Sequence, residues 1–182
     1  MKDDSMRFRL SAAGAILLLT CSLAFAQQTG TLKVKTTTGR AGVFVDDKYL
    51  GPASNFGMAR SYAVAAGEHT VTIREPRYET ATAKVTVVAG KKVTVRQELK
   101  ALPTPTGPFG RLRTEGGEKY SAVYINGEYM GHVDEFDNFA QGLLLPPGSY
   151  TVKIVPVSGG AGVEQKVDLK ANETTIVRAS GK

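Results

Sequence analysis

Apolar residues recur at every second position in short runs along this chain. Leu32 and Val34, Val43 and Val45, Val71 and Ile73, Val85 and Val87, and Val93 and Val95 each flank a polar, small or aromatic residue. That two-residue period predicts strands with one buried face. The alternation returns at Val123 and Ile125, Leu143 and Leu145, Val152 and Ile154, and Val167 and Leu169. No run after residue 26 has the apolar spacing of an amphipathic helix. Asn126-Gly127 separates two of the runs and predicts a type I′ hairpin, a turn that needs positive φ at both central residues. Asp46-Asp47 is a weaker version of the same turn. Ala66-Gly67 and Pro147-Gly148 punctuate the chain before the longest strand of each half, and Ala89-Gly90 and Ala171-Asn172 before the last. Six or seven short strands in about 70 residues, with turns every 8 to 12 or so, predict a small antiparallel β-sandwich.

The pattern occurs twice. Val43-Phe44-Val45-Asp46-Asp47-Lys48-Tyr49-Leu50-Gly51 returns 80 residues later as Val123-Tyr124-Ile125-Asn126-Gly127-Glu128-Tyr129-Met130-Gly131. Gly67 to Ile73 matches Gly148 to Ile154 at an offset of 81, and Val85 to Gly90 matches Val167 to Asn172 at 82. Three blocks in register define a tandem duplication of a whole small domain, well beyond the roughly 20 to 50 residues of a solenoid unit. The predicted organisation is a first domain over residues 27–102, a linker over 103–108 and a second domain over 109–182. Pro103, Pro105 and Pro108 lack the N–H that a sheet ladder needs. Their spacing predicts an extended linker that holds the two sandwiches apart.

Residues 1–26 read as a segment to be removed. Arg7 and Arg9 precede an uncharged run from Leu10 to Ala26 that closes on Ala24-Phe25-Ala26, the pattern of a secretory signal peptide. The run is short for a membrane span, which needs about 20 apolar residues. An exported chain starting at Gln27, periplasmic or extracellular and without an integral membrane span, is the expectation. The alternative is a lipoprotein anchored through Cys21, because Leu18-Leu19-Thr20-Cys21 resembles a lipobox. Cys21 is the only cysteine, so the chain after residue 26 has no disulfide and no thiol nucleophile.

Charge divides unevenly between the halves. Residues 27–102 carry twelve Lys and Arg against six Asp and Glu, a net of +6, whereas residues 103–182 carry eight against nine, a net of −1. A basic first domain suits an anionic polymer, an acidic partner or simple solubility. An exported chain without basic runs interleaved with aromatics is not expected to bind nucleic acid.

The strand, Asp-Gly or Asn-Gly turn, charged residue, aromatic, aliphatic and glycine, followed by an apolar-x-Pro-Gly-x-His/Tyr-x-Val-x-Ile segment, resembles the PEGA domain of bacterial and archaeal surface proteins. The second copy is closer, through Asn126 to Gly131 and Leu145-Pro146-Pro147-Gly148-Ser149-Tyr150. The first departs at Asp47, where the family has glycine, and at Ala66, where it has proline. Gly131 to Asn138 is similar to a longer loop in some such domains. The resemblance implies a transthyretin-like or immunoglobulin-like β-sandwich at the cell envelope, with no catalytic residues.

Direct inspection for chemistry agrees with that implication. His69 occupies the place of Tyr150 in the other copy and predicts a role at the sheet edge. His132 lies beside Asp134, Glu135 and Asp137, an acidic cluster without EF-hand spacing, and a solvated loop accounts for it better than a Ca²⁺ site. No Gly-x-Ser-x-Gly elbow is present, and Gly159-Gly160-Ala161-Gly162 lacks the lysine of a phosphate loop. No enzyme activity, cofactor or metal is therefore expected. The aromatics give the functional lead, since exposed rings stack on sugars or anchor a protein partner. Phe44 and Tyr124 are expected to point outward over the sheet, with Tyr49 and Tyr129 over the hairpin end. Two loops, 52–62 and 132–142, are the predicted interaction sites, with Phe56, Tyr62, His132, Asp134, Phe136, Asp137 and Phe139 as candidate contacts. The expected function is a binding module that recognises a cell-wall glycan or envelope protein; the alternative is a passive spacer of two rigid sandwiches, and a hydrolase is the least favoured reading.

Overall fold

The computed structural model describes residues 28–56 and 61–179. The predicted signal segment and its cleavage site lie outside the described residues, as does the tip of the first loop, residues 57–60.

Copy 1 consists of β1 (Thr29–Thr36), β2 (Gly42–Val45), β3 (Lys48–Pro52), a 3₁₀ turn (Ala53–Phe56), β4 (Tyr62–Ala65), β5 (Gly67–Arg74), β6 (Ala81–Val87) and β7 (Lys92–Gln97). Copy 2 repeats it as β8 (Gly110–Glu115), β9 (Ala122–Ile125), β10 (Glu128–His132), the helical turn α1 (Val133–Phe136), β11 (Leu143–Leu145), β12 (Gly148–Val155), β13 (Val163–Leu169) and β14 (Thr174–Arg178). Each copy pairs a four-stranded sheet, β3-β2-β5-β6 or β10-β9-β12-β13, with a three-stranded one, β4-β1-β7 or β11-β8-β14. The chain is all-β in two small sandwiches. One pair per copy is parallel, β1 with β7 and β8 with β14. The alternation that predicted the strands is blind to this, because the last strand crosses to the other sheet before it lies beside the first.

The alternating positions make the cores. Leu32, Val34, Val43, Val45, Val71, Ile73, Val87 and Val95 are buried together in copy 1. Val123, Ile125, Leu145, Val152, Ile154 and Leu169 are buried in copy 2, joined by Leu112 and Val177. Single helical turns replace the predicted loops just after β3 and β10. Both carry a phenylalanine into the core beneath them, Phe56 in copy 1 and Phe136 in copy 2.

The hairpin turns have the predicted backbone. Asp46 and Asp47 have φ of 49° and 62°, and Asn126 and Gly127 have 50° and 87°. The side chain of the first turn residue then accepts a backbone hydrogen bond from β5 or β12. Asp46 Oδ1 takes it from the Thr70 N–H, and Asn126 Oδ1 from the Thr151 N–H, both at 2.9 Å. Glycines 51 and 131 lie where β3 and β10 slip register, at φ of 132° and 139°, a region open to glycine and strained for other residues.

The two sandwiches are packed together, which corrects the extended-linker expectation. Phe44 and Tyr49 of copy 1 form one buried cluster with Ala122 and Tyr129 of copy 2, edged by Tyr124 and Val157. The Phe44 and Tyr129 rings meet edge to face at 5.4 Å, and Tyr49 lies 5.4 Å from Tyr129. Phe44 does point out of its own core, as its strand parity requires, yet it is only 1% exposed because copy 2 covers it. Prolines fix local φ but exert little force over distance. Burying each ring contributes roughly 1.5–3 kcal/mol, so the aromatic faces decide the arrangement. Gly42 allows the approach, since a Cβ there would lie 2.6 Å from the Tyr129 ring. Phe44 and Tyr49 occupy the same repeat positions as Tyr124 and Tyr129. The copies thus meet through equivalent faces, as the subunits of an isologous dimer do.

Candidate functional site

Beside the aromatic contact, a groove of about 750 Å³ runs between the copies. One wall is the start of the linker, Ala101 to Pro105; the other is Gln141 to Pro146, which contains β11. Copy 1 holds its wall in place through two backbone contacts: a bridge between Tyr78 and Ala101, and the Leu102 N–H donating to the Arg77 carbonyl at 2.8 Å. Among the described residues β11 pairs with β8 on one side only. Leu102 and Leu144 are 43% and 51% exposed, and both line the groove.

Charged side chains close one end. Arg40 Nε donates to Glu135 Oε2 at 2.8 Å and ties the turn after β1 to α1 of the other copy. Glu75 receives the Arg77 backbone N–H at 2.8 Å and its Nε at 2.7 Å. In both pairs the carboxylate is inside and the guanidinium outside. The Glu135 and Glu75 side chains are 10% and 4% exposed, whereas those of Arg40 and Arg77 are 48% and 58%. Burial pushes the Glu135 carboxyl above the usual carboxylate range, with Arg40 opposing it. His132 lies under this end with Nε2 3.1 Å from Glu135 Oε1, and burial lowers its pKa below the ordinary imidazole value.

The candidate contacts predicted from the two loops separate into groups. Phe56 and Phe136 are core residues, so as exposed contacts they are corrected: each helical turn directs its phenylalanine inward. Tyr62 stacks on Phe56 with ring centroids 4.3 Å apart and is half-buried. His132 is buried, its ring edge-on to Tyr120 at 5.4 Å. Asp134 Oδ2 accepts the Tyr120 backbone N–H at 3.0 Å, which makes it a loop clasp. Asp137 and Phe139 are exposed, Phe139 at 76%, with the Arg113 guanidinium 5.7 Å over its ring. Arg113 also donates to the Asp137 carbonyl at 2.6 Å, holding this loop against β8. Of the seven, only Phe136 lines the groove.

The sequence reading passed over Arg40, Glu75, Arg77, Leu102 and Leu144. Leu144 carried a usable signal, because it is apolar at the outward position of an alternating strand. The arginines carried none, since their partners are distant in sequence. Among the described residues no three His, Cys, Asp or Glu side chains are grouped as a metal ion requires.

Two small sandwiches joined through equivalent sheet faces define a tandem β-module with its accessible groove at the junction. Residues 29–102 match the model of the PEGA domain family. Copy 2 repeats the topology of copy 1 strand for strand. No curated protein matches the chain. Among solved structures it is similar to the Bacillus anthracis TIE protein at 17% identity and a TM-score of 0.34, over 83% of this chain and 34% of that one, so it spans about a third of that relative's length. Among the described residues no helix is long and apolar enough to cross a membrane.

Proposed function

We propose that this chain is a non-enzymatic interaction module of the cell envelope, exported by its N-terminal segment, that binds a protein partner at the junction of its two domains. The observation that carries the reading is the groove, with leucines exposed on both walls and guanidinium groups outward at one end. The match to the PEGA domain family supports the envelope setting. Both histidines sit in structural positions: His69 contacts Asp46 and the Ala65 carbonyl, and His132 is buried against Tyr120 and Glu135. This supports a binding role over hydrolysis.

A protein partner fits better than a glycan, because Tyr49 and Tyr129 are buried in the domain contact and offer no flat exposed ring for a sugar. A passive spacer has less support, since the copies pack side by side instead of extending. Incubating the purified chain with isolated envelope, before and after protease treatment of that envelope, tests the reading. Retention that protease abolishes is the expected result. Retention on protease-treated wall would assign a glycan, and no retention would leave the spacer.

A further inference from the structure

Resting on that binding reading, we infer that the groove takes an extended apolar peptide that adds a strand to the free edge of β11 and sets a carboxylate against Arg40 and Arg77. β11 presents one side to β8, and among the described residues no strand covers its other side. Natural sheets protect such edges with charge, proline or a covering segment, because unpaired N–H and C=O groups recruit another strand. Here the edge carries Leu143-Leu144-Leu145 without a charge, bracketed by Gly142 and Pro146. Water satisfies these groups while the edge is exposed, and an extended peptide backbone can replace it there.

The walls select what that strand carries. Leu144 and Leu102 both line the groove, together with Pro103, Phe109 and Met130. Apolar side chains are matched by this lining and charged ones are not. At the closed end the carboxylates are buried and committed, but the guanidiniums are not fully used. Arg40 hydrogen-bonds through Nε alone, leaving both terminal nitrogens without a partner among the described residues. Arg77 uses Nε and Nη2 on Glu75, leaving Nη1. Donors aimed outward from a pair of half-exposed arginines complement a carboxylate, here the C-terminus of the peptide. The groove also continues the domain contact, because the Arg40–Glu135 pair belongs to both.

The probe is a library of random short peptides tethered through their N-termini, so that each ends in a free carboxylate, screened against the full exported chain. Selected peptides should alternate apolar residues and end in an acid. Binding should fall about tenfold or more in Leu144→Lys and in Leu102→Lys, and when the peptide is amidated. Both leucines are substantially exposed, so the variants should melt as the wild type does, and that is checked first. Backbone amides of Leu143 to Leu145 should shift in NMR spectra on titration. No selected peptide, or peptides that bind both variants like wild type, would overturn the inference; indifference to amidation would overturn its carboxylate half. Dimerisation abolished by Leu144→Lys would assign the edge to a second copy and also overturn it. Envelope retention that survives Leu144→Lys would sink this site while leaving the binding reading intact. Loss of retention by the wild type itself would sink that reading.

Discussion

The two copies solve one structural problem with different chemistry at the hairpin. In copy 1, His69 Nδ1 lies 2.7 Å from Asp46 Oδ2 and Nε2 lies 2.8 Å from the Ala65 carbonyl. Both partners are acceptors, so both contacts are hydrogen bonds together only when the ring is protonated on both nitrogens. In copy 2, Tyr150 reaches the Pro146 carbonyl, also four residues back, at 2.8 Å, and Asn126 replaces the carboxylate. The position needs a long side chain with a donor at its tip; whether that donor is charged is free to vary. One copy is therefore pH-sensitive where its twin is neutral.

The comparison is broken most severely at the contact between the copies. Tyr129→Ala empties a buried site against Phe44 and Tyr49 and should destabilise the chain by about 3 kcal/mol in denaturant unfolding. Tyr124→Ala, at the edge of the same cluster, should cost clearly less. Equal losses would mean that the cluster does not organise the contact.

A smaller effect separates the two bulge glycines. A Cβ on Gly131 would lie 2.8 Å from the Phe136 ring, whereas one on Gly51 would meet the Tyr62 hydroxyl at 3.2 Å. The Phe136 ring is fixed in a core, but the end of Tyr62 can yield. Each alanine substitution carries about 1–3 kcal/mol of backbone strain, with Gly131→Ala the costlier. The reverse order in thermal melts would refute the assigned packing.

The hairpin locks differ in their response to pH. Hydrogen bonding to Asp46 raises the His69 pKa above its ordinary 6.5, and the Thr70 N–H, then His69, lower that of Asp46 below 3.8. A raised histidine stabilises the fold fully below 6.5 and loses that contribution as pH climbs through the folded value. A lowered aspartate stabilises it above 3.8 and loses this as pH falls through its folded value. Stability from the pair is thus greatest between those limits. Melting temperature should fall between pH 6 and 9 by more in the wild type than in His69→Tyr, which installs the residue of copy 2. Parallel profiles would show that the pair contributes nothing. Asp46 is well exposed, so the effect is modest.

Least in size is the turn itself. Asp47→Gly removes an aspartate held at φ 62° and gives an Asp-Gly turn, the counterpart of Asn126-Gly127 in the other hairpin, with the loss of a distant 3.6 Å contact to Arg74. A gain of roughly 0.5–1 kcal/mol is expected, because glycine occupies this region without the steric cost. A loss would mean that the Arg74 contact outweighs the strain.

What was legible in the sequence is what acts locally. Val43 and Val45 disclose a strand by their period, Asn126-Gly127 discloses the turn, and the repeated blocks disclose the duplication. Whatever depends on a distant partner was hidden. Phe44 has the outward parity of a surface residue and is buried only because Tyr129 arrives from the other copy. Phe56 and Phe136 looked like loop contacts because a single helical turn has no detectable period. Arg40 and Glu135 are 95 residues apart, beyond any local pattern.

Nuclear Overhauser contacts between selectively labelled Phe and Tyr rings test the central claim, that the copies meet through equivalent aromatic faces. Cross-peaks from Phe44 and Tyr49 to Tyr129 are predicted in the wild type, whose ring centroids lie 5.4 Å apart in both pairs. They should vanish in Gly42→Val, which wedges the faces apart. Wild-type spectra without those cross-peaks, in a chain whose cores give all their expected internal ones, would contradict the account.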